Sequence, residues 1–281
     1  MKWNRKESPN PMQIATYGEI VYLTFPLLEK TGLVKHGFST RMGGVSEGIF
    51  SSMNLSFYRG DKEECVYENF QRMAEALGTR TEHMVFSDQT HTTNERVVTK
   101  EDQGKGIHRP LDYQDIDGLV TNEREIMLVT VYADCVPVYL VDTKHKAIGL
   151  CHSGWRGTVG KISQETLRVM KESFQTEAED VMAAIGPSIC QDCYEVSEDV
   201  VLEMEKSFGR ECMGELAYAK ENGKYQLNLL RANELALLQA GVPKQQIQTT
   251  DICTCCNSRY LFSHRATAGR RGNLAAFLEL K

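Results

Sequence analysis

At 281 residues, 41% hydrophobic and 25% charged, the chain has ordinary globular composition and is long enough to bury a core without a disulfide or metal scaffold. Thirty-two Lys and Arg against 38 Asp and Glu give a net charge of −6, the wrong sign for a protein that grips a phosphate backbone, so nucleic acid is excluded as a partner. The amino terminus shows no apolar export signal, and the most apolar stretch, Ile126 to Val141, carries Asp134 and falls short of the roughly 18 residues a membrane span needs, so a cytoplasmic protein without membrane attachment is expected. Nine cysteines, an odd number, read as reduced thiols rather than a disulfide framework.

No linker, repeat or low-complexity tract divides the chain, and one domain over 1–281 is expected, with residues 1–17 a loosely ordered N-terminal segment. Strands are predicted at Glu19–Thr24 and Val34–Ser39, followed by a helix at Lys62–Leu77. Further strands follow at Met84–Ser87, Arg96–Thr99, Gly118–Thr121, Ile126–Tyr132, Val136–Val141 and Ala147–Cys151, with Asp142 to Lys146 as a turn. The clearest helix runs from about Val159 to Phe174, with Val159, Ile162, Val169, Met170 and Phe174 on one face. Val181–Ile185 reads as a strand, Ser197–Ser207 as a helix, and Leu274–Leu278 as a final strand. Another helix is capped by Asn228 and stops at Gly241. Strands and helices do not alternate in a strict rhythm, which favours an α+β fold with mixed sheets.

P-loop, dinucleotide-fingerprint, zincin and nucleophile-elbow motifs are all absent. Polar, reactive residues instead gather at the ends of apolar strands, where a rigid scaffold presents side chains: Gln89-Thr90-His91, Ala133-Asp134-Cys135, and Cys151-His152-Ser153-Gly154-Trp155-Arg156-Gly157. His91, Cys135 and His152 would form a three-ligand set for a borderline-soft metal such as zinc, with a fourth position for water or substrate. Their separations match no local metal motif, and a buried cysteine is equally a small hydrophobe, so residue types alone leave both readings open. The loops Ser39 to Ser46 and Trp155 to Thr158 place Arg41 and Arg156 among glycines and hydroxyls, suiting an anion. Phe262-Ser263-His264-Arg265 and Gly269-Arg270-Arg271-Gly272 are similar but read more readily as a solvated basic turn. Cys190-x-x-Cys193 has zinc-knuckle spacing, whereas Cys253-x-Cys255 is too tight. Buried or incidental thiols are therefore favoured over a second metal or redox site formed by Cys190, Cys193, Cys253, Cys255 and Cys256.

Taken together, His36 to Ser46, Gln89-x-His91, Asp117-Gly118-Leu119-Val120-Thr121, Ala133 to Val138, His152 to Thr158, Gly186-Pro187-Ser188-Ile189, Cys193-Tyr194-Glu195-Val196 and Phe262-Ser263-x-Arg265 resemble the YlmD/YfiH family, also labelled laccase-domain or polyphenol oxidase. The motifs run in order along nearly the whole chain. The resemblance implies one α+β domain of stacked mixed sheets with outer helices. It implies a zinc ion, with copper as the alternative, on His91, Cys135 and His152. It also implies a purine nucleoside phosphorylase that cleaves adenosine, inosine and methylthioadenosine with phosphate to free base and ribose 1-phosphate or its methylthio analogue, with adenosine deaminase activity besides. Within that scheme Arg41, Arg156 and Ser153 are the expected phosphate and substrate residues, Cys135 and His152 are catalytic, and Asp134 or Gln89 moves protons. The partners are small-molecule nucleosides and phosphate, and the protein is expected as a monomer or homodimer. Laccase chemistry is discounted, because a trinuclear copper cluster needs paired His-x-His motifs and none of the seven histidines forms one. Two rivals remain: an amidase or deamidase with Cys135 as nucleophile and His152 as base, acting on a peptidoglycan-precursor-like substrate, and a non-catalytic metal-binding regulator.

Overall fold

The computed structural model describes residues 1–281. The strands are β1 (Gln13–Tyr17), β2 (Ile20–Thr24), β3 (Val34–Ser39), β4 (Met84–Phe86), β5 (Glu95–Val97), β6 (Gly118–Thr121), β7 (Met127–Tyr132), β8 (Val136–Asp142), β9 (Ala147–Ser153), β10 (Val181–Ile185), β11 (Glu195–Val196), β12 (Ala217–Ala219), β13 (Tyr225–Leu227), β14 (Ile247–Thr249) and β15 (Leu274–Leu280). The helices are α1 (Pro26–Glu29), α2 (Glu63–Leu77), α3 (Trp155–Val159), α4 (Ile162–Phe174), α5 (Glu198–Phe208), α6 (Met213–Leu216), α7 (Leu229–Gln239) and α8 (His264–Thr267). Two six-stranded mixed sheets run in the orders β1-β2-β3-β15-β7-β4 and β14-β10-β8-β9-β6-β5, and β11-β13-β12 form a third, small sheet.

The two large sheets face each other across a core that includes Phe38, Leu128, Tyr132 and Leu278 from one and Leu119, Tyr139, Ile148 and Leu150 from the other. The outer face of the first sheet is covered by α2 through Val66, Phe70 and Met73, and that of the second by α4, α5 and α7 through Ile162, Met170, Met204 and Leu237. Sheets covered on both faces need apolar side chains on both, which is why β8 and β9 are buried along their whole length. The strand period of two sorts them: Ile148 and Leu150 of β9 point between the sheets, Ala147 and Cys151 toward the helices. The α+β architecture of stacked mixed sheets with outer helices is therefore the one expected. No helix is long and apolar enough to cross a membrane.

Two expectations need correction. Residues 1–17 are not a loose leader: β1 pairs antiparallel with β2, Met12 is buried, and Arg5 reaches Asp251 at 2.8 Å while Met12 N donates to the same carboxylate at 2.9 Å. Asp251 lies 239 residues from Met12 and 246 from Arg5, where no local pattern could reveal it. The helix expected from about Val159 is α4 and starts three residues later, at Ile162. A separate short helix, α3, precedes it: Gly160 ends α3 and Lys161 takes a left-handed conformation (φ 55°) before α4 begins. Replacing Asp251 by Ala should destabilise the protein by about 1–3 kcal/mol, since it leaves the buried Met12 N–H without an acceptor and Arg5 without its carboxylate. The N-terminal segment should then be cut first in limited proteolysis.

Candidate metal centre

Three connections at one end of the sheets converge. The β8–β9 register sets Pro137 opposite His152 and Val136 opposite Ser153, which brings Cys135, in the β7–β8 turn, beside the end of β9. His91 comes from the β4–β5 loop. The candidate ligand atoms of His91, Cys135 and His152 all lie within 4.8 Å of one another, with Cys135 Sγ 3.9 Å from His91 Nε2.

The loop that carries His91 is organised by Asp117, a fully buried residue immediately before β6. Its carboxylate accepts from Thr90 N (3.0 Å), His91 N (3.1 Å), Thr92 N (2.8 Å) and Thr92 Oγ1 (3.0 Å), and pairs with His152 Nδ1 at 2.7 Å. One side chain thus holds two of the three candidate ligands. Burial disfavours its charge, but the His152 imidazole and the backbone donors outweigh that and hold the carboxyl below its ordinary range. Burial likewise opposes charge on His152 and Cys135. Their mutual attraction wins, with Asp117 supporting the imidazole and His91 the thiolate, so His152 rises to about 9 and Cys135 falls to about 6.

The donor set fits a metal. Two imidazoles and a thiolate make a three-ligand site with an open position, and the Asp117–Nδ1 bond leaves His152 Nε2 free to ligate, the carboxylate–histidine arrangement that fixes ring and tautomer. Gly154 keeps the space clear, since a Cβ there would sit 2.7 Å from His91 Cδ2 and 3.3 Å from Cys135 Sγ.

Other expected site residues are placed differently. Gln89 is a clamp rather than a proton carrier: its Nε2 donates to Val131 O (2.8 Å) and its Oε1 accepts from Val131 N (2.6 Å), so the amide continues the edge of β7. Asp134, with φ 86°, accepts from Thr254 Oγ1 (2.6 Å), Ser263 Oγ (3.0 Å) and Arg265 N (2.7 Å), which commits both carboxylate oxygens to fastening the β7–β8 turn. Ser153 follows the strand alternation away from His152 and bonds Thr158 Oγ1 at 2.9 Å, fully buried. Arg41 donates to Ser51 O and Ser258 O and lies over Phe262, an anchoring role for its loop. Arg156 is different: exposed, stacked on Trp155 at 4.3 Å and without a hydrogen-bond acceptor in the protein, it is free to take an anion.

Asp117 and Gly154 stand within the sequence motifs, but nothing local distinguishes them from turn residues. The segment from Phe262 to Gly272, read as a solvated basic turn, does expose His264, Arg265 and Arg270, but Phe262 and Ser263 are buried, and Ser263 Oγ and Arg265 N bond Asp134 beside the site. Burial and then the neighbouring Arg59 pull the Arg271 guanidinium down to about 10, while Asp134 and Cys135 lie close enough to oppose that shift, and Arg271 Nε is buried without a partner. Arg265 covers the Tyr194 ring, and the Tyr194 hydroxyl is within electrostatic reach of Cys135 and Arg156.

Residues 35–281 match the family model described as multi-copper polyphenol oxidoreductase laccase. The chain belongs to this family, the YlmD/YfiH family. It is 35% identical over 250 residues to purine nucleoside phosphorylase YlmD of Bacillus subtilis (strain 168), covering 87% of this chain and 88% of that one. It is 34% identical over 259 residues to a purine nucleoside phosphorylase of Bacteroides thetaiotaomicron, covering 90% and 93%. The crystal structure of YlmD from Geobacillus stearothermophilus superposes with a TM-score of 0.88 at 33% identity, covering 97% of this chain and 100% of that one. That of the Bacillus licheniformis hypothetical protein YfiH gives the same score and coverage at 30% identity. The candidate group of His91, Cys135 and His152 holds no His-x-His pair of the kind a trinuclear copper cluster uses.

Asp117→Asn keeps an acceptor for the loop but loses the charge facing His152. Metal affinity, measured by competition with a chromophoric chelator, should fall about 10–100-fold with the fold intact. Gly154→Ala should weaken metal binding without altering Asp117, because its methyl group displaces the His91 ring.

Proposed function

We propose that the protein is a zinc-dependent purine nucleoside phosphorylase acting on adenosine, inosine and methylthioadenosine, with adenosine deamination as a second activity. The observation that carries this reading is the three-ligand His91–Cys135–His152 group with an unpaired, exposed arginine, Arg156, on the helix that starts beside it. The names of the relatives agree with it. In phosphorolysis the glycosidic C–N bond breaks, a bond forms between the anomeric carbon and an oxygen of hydrogen phosphate, and the departing purine gains the proton that the hydrogen phosphate gives up. The transition state carries positive charge on the sugar, so an anion fixed against it lowers the barrier by proximity and by charge together.

His91, Cys135 and His152 would hold the metal, whose Lewis acidity serves phosphorolysis and deamination alike. Arg156 binds and orients phosphate, and Arg271 adds positive potential from the opposite segment. Asp117 keeps the His152 ring oriented and the His91 loop closed. The Tyr194 phenol, which burial raises to about 12, is protonated at neutral pH as any phenol is, and it donates a hydrogen bond to the base as it leaves.

Adenosine incubated with phosphate should give adenine and ribose 1-phosphate, and inosine should appear with or without phosphate. Free ribose as the sole sugar product, or no turnover of any purine nucleoside by zinc-loaded protein, overturns the reading. Arg156→Met removes a charge-assisted bond worth about 1.5–3 kcal/mol, so the phosphate concentration for half-maximal rate should rise roughly 10–150-fold while nucleoside binding changes little. Arg41→Met should lower the thermal midpoint instead.

A second reading rests on the Cys135–His152–Asp117 alignment, which also suits a cysteine nucleophile with an oriented base, as in an amidase. The two uses of Cys135 exclude each other. In the phosphorylase, holo-protein resists alkylation at Cys135, and chelation exposes the thiol while abolishing turnover. A substrate-derived acyl group on Cys135 with activity intact after complete metal removal would assign the site to the amidase.

A further inference from the structure

On the far side of Asp134 from the candidate centre, four thiols meet. The β10–β11 connection supplies Cys190 and Cys193 and the segment after β14 supplies Cys253 and Cys256, so the effective motif is a pair of Cys-x-x-Cys knuckles. The pairing that matters is Cys253 with Cys256, and Cys255 falls outside it. We propose that Cys190, Cys193, Cys253 and Cys256 form a second metal site, independent of the nucleoside chemistry, that takes one structural zinc ion in four-thiolate coordination.

The sulfur geometry carries this. All four ligand atoms lie within 4.8 Å of one another, with Cys193 Sγ 3.5 Å and Cys190 Sγ 3.9 Å from Cys256 Sγ. A regular tetrahedron with zinc–sulfur bonds of about 2.3 Å has sulfur–sulfur edges of about 3.8 Å, between those two distances. All nine cysteines are free thiols. The surroundings are those of a thiolate site: the backbone N–H groups of Cys190 and Cys256 both donate to Cys253 Sγ, at 3.2 and 3.4 Å. Lys6 lies beside the cluster, ion-paired at 3.0 Å with Asp192, the residue before Cys193. Soft sulfur donors in this shape select zinc or iron over magnesium or calcium, and sites closed by four protein ligands are structural.

The position gives the ion work to do. Thr254, between the knuckle cysteines, donates to Asp134, and Ile189 N donates to Asp134 O at 3.0 Å. Asn257 accepts from Asn4 N at 2.8 Å and so holds the N-terminal segment to the same loop. A zinc ion here would cross-link two loops of high sequence separation and fix the turn whose next residue is Cys135.

Elemental analysis of protein purified without chelator should find two zinc ions per chain. His91→Ala/Cys135→Ala should retain one, Cys193→Ser/Cys256→Ser should also retain one, and the combined variant none. In wild-type protein Cys256, an exposed thiol, should resist alkylation until zinc is stripped, as read by peptide mapping. Cobalt added to His91→Ala/Cys135→Ala after zinc removal should show the visible bands of four-thiolate tetrahedral coordination. A single zinc that disappears entirely in His91→Ala/Cys135→Ala, iron in place of zinc, a Cys193–Cys256 disulfide, or free alkylation of Cys256 in untreated protein would each overturn the proposal. Absence of nucleoside turnover in wild-type protein that carries both zinc ions would count against the phosphorylase reading alone.

Discussion

The Asp117 carboxylate is the group on which the geometry of the candidate centre depends. A carboxylate fully removed from water is costly, and it is stable here because three backbone N–H groups, a hydroxyl and an imidazole surround it. Each of those donors belongs to a segment that must be in place for the candidate centre to exist: the β4–β5 loop with His91 and the end of β9 with His152. The same carboxylate therefore holds the His91 loop and fixes the tautomer of His152. The site is preorganised from behind, leaving its front open.

Asp134 plays the corresponding part for the third ligand. Its left-handed backbone makes the β7–β8 turn, and its side chain ties that turn to Thr254, Ser263 and Arg265. The same residue joins the candidate centre to the thiol cluster and to the basic segment beyond it. This explains why the segment between Phe262 and Gly272 is drawn into the structure, and why three segments distant in sequence are mechanically one unit at this end of the sheets.

Charge is sorted with the same economy. The molecule is net negative, yet Arg156, Arg265 and Arg271 gather around Asp134 and Cys135. Arg265 is committed to the carbonyls of Cys193 and Glu195, while Arg156 has no protein acceptor. A local positive field inside an acidic protein favours a small anion over a polyanionic backbone, since distant surface charge repels the latter.

Strand-length apolar runs, the helix periodicity of residues 62–77 and the cap at Asn228 were legible because they are local signals: the period of two, the period of 3.6 and a single side chain bonding a nearby N–H. His91, Cys135 and His152 stood out in the sequence as reactive residues at strand ends, and the family motifs named them as a set. Their convergence needed the β8–β9 register and the Asp117 hub, which no spacing encodes. Gln89, Asp134 and Ser153 show the limit from the other side: their chemistry suited the first two to proton transfer and Ser153 to phosphate or substrate binding, but only the fold decided that they bond Val131, Thr254 and Thr158. The pairing of Cys253 with Cys256, and the order of the N-terminal segment, were likewise decided by contacts across most of the chain. Amino-acid sequence by itself determined which segments could be strands or helices and which side chains were reactive. Tertiary structure decided which of those side chains meet, because burial and long-range hydrogen bonds, rather than neighbours along the chain, fix where each polar group finds its partner.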